Sequence, residues 1–147
     1  MLLRPATESD QHTIRVLVRE GGINPMDLDW RHFVVAENEA GEAVAIGQIK
    51  THRDGSPELA SIAVRKDQRG QGLARAVIEH LLTLHSGDLY LTCRSNFGPM
   101  YEKFGFREIH EEKMPKYFRR LKKVAGVFEM LAGQGEYMMV MKRGSGW

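Results

Sequence analysis

Glu58-Leu59-Ala60-Ser61-Ile62-Ala63-Val64, followed by Arg65-Lys66-Asp67-Gln68-Arg69-Gly70-Gln71-Gly72, then Leu73-Ala74-Arg75-Ala76-Val77-Ile78-Glu79-His80-Leu81-Leu82 and finally Leu89-Tyr90-Leu91-Thr92-Cys93, reads as strand, basic glycine-rich turn, helix and strand. Leu73, Ala74, Val77, Ile78, Leu81 and Leu82 recur at helical spacing, which gives a broad apolar face and leaves Arg75, Glu79, His80 and Thr83 outside. Such a unit predicts two parallel strands joined by a right-handed crossover.

The turn has the chemistry of an anion site. Glycines at a helix start let a ligand approach the main chain, and the first-turn N–H groups have no partner within the helix. Arg69 adds a fixed positive charge, so a phosphate or diphosphate fits there. Among phosphate-binding turns, a P-loop needs Gly-Lys-Ser/Thr, whereas this turn continues Gly72-Leu73-Ala74. A dinucleotide fingerprint fits poorly as well. Arg75 holds its third glycine position, and the next strand ends in Cys93-Arg94 with no acid for a ribose.

Arg69-Gly70-Gln71-Gly72-Leu73-Ala74 matches Gln/Arg-x-x-Gly-x-Gly/Ala, and Asn96-Phe97-Gly98-Pro99-Met100-Tyr101-Glu102-Lys103-Phe104-Gly105-Phe106 follows after the next strand. Together these resemble the GNAT superfamily of acyl-CoA-dependent N-acyltransferases. The resemblance implies an α/β fold with a mixed central sheet of about six or seven strands and helices on both faces. It also implies acetyl-CoA as cosubstrate. On that resemblance Arg69, Gly70, Gln71, Gly72, Leu73 and Ala74 bind the diphosphate, and the backbone of Ile62, Ala63 and Val64 pairs with the pantetheine arm. Tyr101 approaches the sulfur, and Glu58 stands where some members place a carboxylate base. Asn96 either bonds the pantetheine or caps the following helix. Each assignment has a plainer reading beside it: Tyr101 as packing against Phe104 and Phe106, Glu58 as a solvated carboxylate at a strand edge.

Length and composition bound the alternatives. A chain of 147 residues, 42% hydrophobic and 27% charged, suits one soluble domain over 1–147. A net charge of +2 does not by itself point to nucleic acid. One cysteine rules out an internal disulfide framework, and a sequence with no long apolar run is expected in the cytoplasm and not in a membrane. The six histidines show no metal-binding spacing, so no metal is expected.

The remaining elements follow from pattern. Leu2–Ala6 reads as a first strand, and Thr7–Asp10 supplies caps for a helix carrying Ile14, Leu17 and Val18 inward, ended by Gly21-Gly22. Asn24-Pro25 reads as the start of a short helical turn with Met26, Leu28 and Trp30. Phe33–Ala36 and Ala43–Lys50 form strands across the polar loop Asn38–Glu42. A short helix follows Asn96, then a strand near Phe106–Ile109, a last strand over Tyr137–Met141 and a loose tail from Gly144 to Trp147. Between the last two strands, Lys113 to Gln134 inserts an extra helix with Tyr117, Phe118, Leu121, Val124, Ala125, Phe128 and Leu131 at helical spacing. Its apolar side is expected to pack on the domain or on a second subunit, which leaves a homodimer open. Its basic run, Lys116, Arg119, Arg120, Lys122 and Lys123, opposes the helix dipole and is either a solvated face or an anion site.

The reading is therefore an N-acetyltransferase acting by direct transfer to a primary amine, either a small molecule or a peptide. Cys93 offers a ping-pong route, but a small buried strand residue is the commoner fate of a lone cysteine. Two rivals remain: a CoA-binding sensor without turnover, and an RNA-associated acetyltransferase using the 116–123 run.

Overall fold

The computed structural model describes residues 1–132 and 135–145, and for 127–132 the backbone alone. Its elements are β1 (Leu2–Pro5), α1 (Gln11–Glu20), β2 (Phe33–Glu37), β3 (Ala43–Thr51), β4 (Pro57–Val64), α2 (Leu73–Leu84), β5 (Leu89–Arg94), α3 (Gly98–Glu102), β6 (Arg107–Glu108), α4 (Lys116–Ala132) and β7 (Met138–Arg143). The strands form one mixed sheet in the order β1-β2-β3-β4-β5-β7-β6. β4 and β5 are parallel, with Glu58 opposite Tyr90, as the strand-helix-strand pattern requires. β1 with β2, β2 with β3, and β7 with both β5 and β6 are antiparallel. The chain divides into two compact units, Met1–Lys50 with Leu59–Ser86, and Thr51–Glu58 with Gly87–Trp147.

In the first unit, Ile14, Leu17 and Val18 of α1 are buried with Phe33, Val35, Ile46 and Ala63. The next residue of β3, Gly47, points the opposite way, because successive strand residues alternate faces. There the Ile62 side chain of β4 and α2 crowd the backbone so closely that a Cβ on Gly47 would stand 2.6 Å from Ile62 Cδ1 and 2.7 Å from Val77 Cγ1. Helices thus cover both faces, as expected. The start of α1 is fixed by Asp10, whose carboxylate accepts the Thr7 amide at 2.7 Å and the Arg4 guanidinium at 2.8 Å. The Arg4 hydrogen bond leads in holding the Asp10 carboxyl below its usual range, against the effect of burial.

The helical turn expected from Asn24 does not form, because side chains take its backbone groups. Asn24 Oδ1 accepts the Met26 amide at 3.0 Å, Gln11 Oε1 accepts Trp30 N at 2.9 Å, and Gln48 Nε2 donates to Asp27 O at 3.0 Å. Asp27 has φ +58°, outside any right-handed helix. Between Asn24 and Phe33 only Trp30–His32 makes a 3-10 turn. Leu28 and Trp30 pack against the α1 core, while Met26 is exposed.

In the second unit, Phe118 of α4 is fully buried and joins Tyr90, Ile109, Met114 and Val140. The inserted helix is therefore built into that unit's core. Val124 breaks the expected pattern at 56% exposed. Six residues after Phe118, it is rotated about 120° from that side chain. Phe128 and Leu131 lie outside the described side chains, and Gln134, Gly146 and Trp147 outside the described residues. The last strand runs two residues further than expected because β5 pairs with it up to Leu89 opposite Arg143. Tyr137 falls outside that strand, its carbonyl accepting Ser95 N at 2.9 Å. The tail is tied at Ser145, whose amide donates to Asp88 Oδ1 at 3.3 Å.

Candidate active site

Within β4, Ser61 has φ +59°, a left-handed conformation that is rare outside glycine. It is buried, and Gln48 Nε2 holds its Oγ at 2.9 Å. A single left-handed residue interrupts the pleat and re-aims the chain after it, here Ile62, Ala63 and Val64. Beyond Val64 the chain turns through a 3-10 segment, Lys66–Gln68, braced by Arg65 on Asp67 at 2.6 Å. Gly70 and Gly72 then adopt φ +79° and +78°.

That geometry shapes the start of α2. The first helical bond runs from Ala76 N to Gly72 O at 3.0 Å, and no side chain caps the end. The amides of Leu73, Ala74 and Arg75 precede that bond, so the helix itself supplies them no partner. Arg69, Gly70, Gln71 and Gly72 are exposed, and a Cβ added at either glycine would meet no atom within 4 Å. Arg69 Nε donates to Val64 O at 3.2 Å, which ties the guanidinium to the end of β4. A cleft of about 410 Å³ adjoins the turn, lined by Ile62, Ala63, Val64, Arg69, Gly70, Gly72, Leu73 and Ala74. Gln71 is not in its lining; Gly21, Ile23 and Gln68 are. No pattern points to Gly21 and Ile23, since Gly21-Gly22 reads only as a helix stop. Donors, charge and clearance here suit a diphosphate.

The second unit carries the other expected residues. Tyr101 lies on α3, its ring edge-on to the buried Phe106 with centroids 6.2 Å apart. Burial, with a smaller contribution from Cys93, pushes its phenol up to about 12. Gly105 at φ +91° returns the chain so that Phe106 N meets Tyr101 O at 3.3 Å, the usual service of glycine after a helix. Asn96 is exposed in the 3-10 turn Ser95–Phe97, and no side chain caps α3, so the capping role falls away.

Glu58 is not the solvated edge carboxylate of the plainer reading. It is 6% exposed, with Oε1 2.6 Å from His52 Nε2. Cys93 is half-buried on β5, its Sγ 3.9 Å from Met141 Sδ, and burial, with Glu108 adding, pushes its thiol up to about 11. In the basic run of α4, Arg119 donates to Met114 O at 3.1 Å and Lys123 pairs with Glu111 at 3.5 Å. Lys122 donates to Met138 O and sits 4.7 Å from the Tyr137 ring centroid. Among the described residues no group of His, Cys, Asp and Glu could hold a metal ion, and no helix is long and apolar enough to cross a membrane.

No curated protein matches the chain at a significant level. Among solved structures, N-acetylglutamate synthase from Neisseria gonorrhoeae, complexed with coenzyme A and N-acetyl-glutamate, is similar over 97% of this chain at 19% identity and a TM-score of 0.70. The chain spans only 34% of that protein. A Mycobacterium tuberculosis protein in complex with CoA and NLQ aligns over 95% of this chain and 98% of its own, at 21% identity and a TM-score of 0.69. Ribosomal-protein-alanine N-acetyltransferase from Brucella melitensis aligns over 99% and 100%, at 19% identity and a TM-score of 0.65. At such identities these likenesses establish the fold alone. Residues 29–108, more than half of the 147, match the family described as Acetyltransferase (GNAT) domain, and the chain belongs to that family.

Proposed function

We propose that the protein is a single-domain N-acetyltransferase that moves the acetyl group of acetyl-CoA to a primary amine by direct attack while both substrates are bound. The observation that carries this reading is the exposed, uncapped start of α2, with left-handed Gly70 and Gly72 beside Arg69 and a cleft along Ile62–Val64. Its amides and guanidinium suit the cosubstrate's diphosphate, and the backbone of Ile62, Ala63 and Val64 suits the pantetheine arm. Asn96, which caps nothing, is free to bond that arm.

The amine nitrogen attacks the thioester carbon, the C–S bond breaks, and the nitrogen sheds a proton. The Val64 amide stabilises the oxyanion, a contact worth about 3 kcal/mol in known enzymes. Glu58 takes the proton, directly or through water. Tyr101 donates a hydrogen bond to the departing sulfur. Proton transfer from a phenol at about 12 to a thiolate whose acid lies near ~8.5 is uphill by about 5 kcal/mol, so donation precedes transfer. Cys93, with its thiol held near 11, is a poor nucleophile, which supports direct transfer over an acyl-cysteine route.

The acceptors suggested by the similar structures are amino acids and peptide amines, N-acetyl-glutamate accompanying one and ribosomal-protein alanine named in another. The RNA-associated alternative loses ground because Arg119, Lys122 and Lys123 are tied to the protein itself. Use of acetyl-CoA and a single cysteine fit the cytoplasm.

The test is thiol release from acetyl-CoA against pooled amines, with mass measurement of the product. CoA release with a product 42 Da heavier, as one acetyl replaces one hydrogen, is expected on this reading. Binding of acetyl-CoA without release across the panel would favour a sensor, and no binding of any CoA species in calorimetry would end the proposal.

A further inference from the structure

His52 and Glu58 face one another across the turn joining β3 to β4. His52 N donates to Ser56 O at 2.9 Å, Gly55 N donates to His52 O at 2.9 Å, and Gly55 sits at φ +88°. Asp54 Oδ1 takes both Ser56 donors, at 2.9 Å and 2.6 Å. This frame leaves the His52 Nε2 to Glu58 Oε1 distance at 2.6 Å, with the side chains 7% and 8% exposed. From α4, the Tyr117 ring lies flat against the imidazole, centroids 3.5 Å apart and planes 12° from parallel, while Phe118 meets it edge-on at 5.6 Å. The imidazole therefore cannot swing away without unstacking. The titratable groups around the pair are Asp54 on the same turn, Tyr90 opposite Glu58 on β5, Tyr117 on α4, and Lys142 of β7 beside the Tyr90 ring.

We propose that His52 is the positioning residue for Glu58, and that the inserted helix α4 serves the reaction by holding His52 in place. The inference rests on the acetyltransferase reading and on Glu58 as its base. Nε2–H of His52 donates to Oε1 and fixes the carboxylate plane. Oε2 is then left to accept the proton that the amine loses as its nitrogen bonds to the acetyl carbon. A carboxylate buried this deeply and lacking that donor is free to rotate, so its second oxygen is no longer held in one orientation.

Four variants separate this role from mere packing. Gln keeps a donor near Nε2 and Leu does not; Phe at 117 keeps the stacked ring and Ala does not. His52→Leu is expected to lower kcat about ten- to a hundredfold, to move the acid limb of the kcat profile, and to leave KM for acetyl-CoA unchanged. His52→Gln should recover most of the loss, Tyr117→Ala should act like His52→Leu, and Tyr117→Phe should lose less than Tyr117→Ala. In a Glu58→Gln background, His52→Leu should add nothing, because the two residues act as one unit. Unchanged kcat and pH profile in His52→Leu, or losses that multiply with Glu58→Gln, would overturn the proposal. Long-range 1H–15N spectra of the resting protein give an answer without turnover: a hydrogen on Nε2 is expected, and one on Nδ1 alone refutes the pairing. If the wild type acetylates no amine, the parent reading fails; if it does and only the His52 series is flat, this inference alone fails.

Discussion

The carboxylate of Asp54 accepts the main-chain N–H of Tyr117 at 2.9 Å, so the turn between β3 and β4 caps a helix 63 residues further along the chain. The cap answers a conflict visible in the sequence, where Lys116, Arg119 and Arg120 crowd the positive end of α4. A carboxylate on that end satisfies a first-turn donor and offsets the cations. Burial raises the Asp54 carboxyl, but the Ser56 hydroxyl, the Tyr117 and Ser56 amides and His52 together hold it below its usual range. Asp54→Ala is expected to cost about 1 kcal/mol in urea denaturation at neutral pH. A lowered folded pKa gives stability that is present above the unfolded value and lost as pH falls through the folded one. The gap between wild type and variant should therefore narrow below about pH 4.

At Gly47 the backbone of β3 lies directly under α2. A methyl there meets Ile62, Val77 and Leu81 at 2.6, 2.7 and 3.0 Å, the last two buried. Gly47→Ala is expected to destabilise by about 1–3 kcal/mol with an unchanged denaturant slope. Because Ile62 also lines the cleft, acetyl-CoA affinity should fall with it. Equal stability would mean that α2 shifts freely, against the packing described.

Gly72→Asp places a carboxylate among amides assigned to a diphosphate. Calorimetry is expected to show acetyl-CoA affinity reduced at least about tenfold, close to 1.4 kcal/mol, with circular dichroism confirming the fold. Undiminished affinity in a folded variant would move the cosubstrate elsewhere.

Tyr101→Phe removes the donor and keeps the ring against Phe106. With chemistry rate-limiting, kcat is expected to drop about a hundredfold while acetyl-CoA binding holds. Since the phenol lies near 12, no loss of activity between pH 7 and 10 should trace to this residue, and the wild-type profile there should be matched in shape by the variant.

Cys93 tests the route. With the thiol near 11, about one molecule in ten thousand is thiolate at pH 7. Iodoacetamide should label it slowly at neutral pH and faster up to pH 11. Cys93→Ala should keep turnover within about twofold, and mass spectrometry of quenched wild type should find no acyl-enzyme.

Local patterns were legible where local forces decide. The βαβ unit, the turn at Gly70 and Gly72, the α1 core residues and a helix within 113–134 all follow from periodicity and capping. What escaped the sequence is long-range. Asn24 looked like a helix start, yet Gln11 and Gln48 claim the backbone groups that a helix would use. Glu58 was found as a carboxylate, but its partner His52 was not, because a single histidine before a turn carries no spacing signal. Ser61 in a left-handed conformation is equally silent, since serine in an apolar strand suggests nothing of φ.

The way α4 is fastened bears on how this protein could be shortened. Deleting residues 113–134 to reach a simpler relative would strip Phe118 from Tyr90, leave the Asp54 carboxylate with one donor fewer, and open the flat side of an imidazole to water. Such a variant would need its interior redesigned around the gap. The helix is grafted tissue with its own blood supply, and trimming it means surgery on the host.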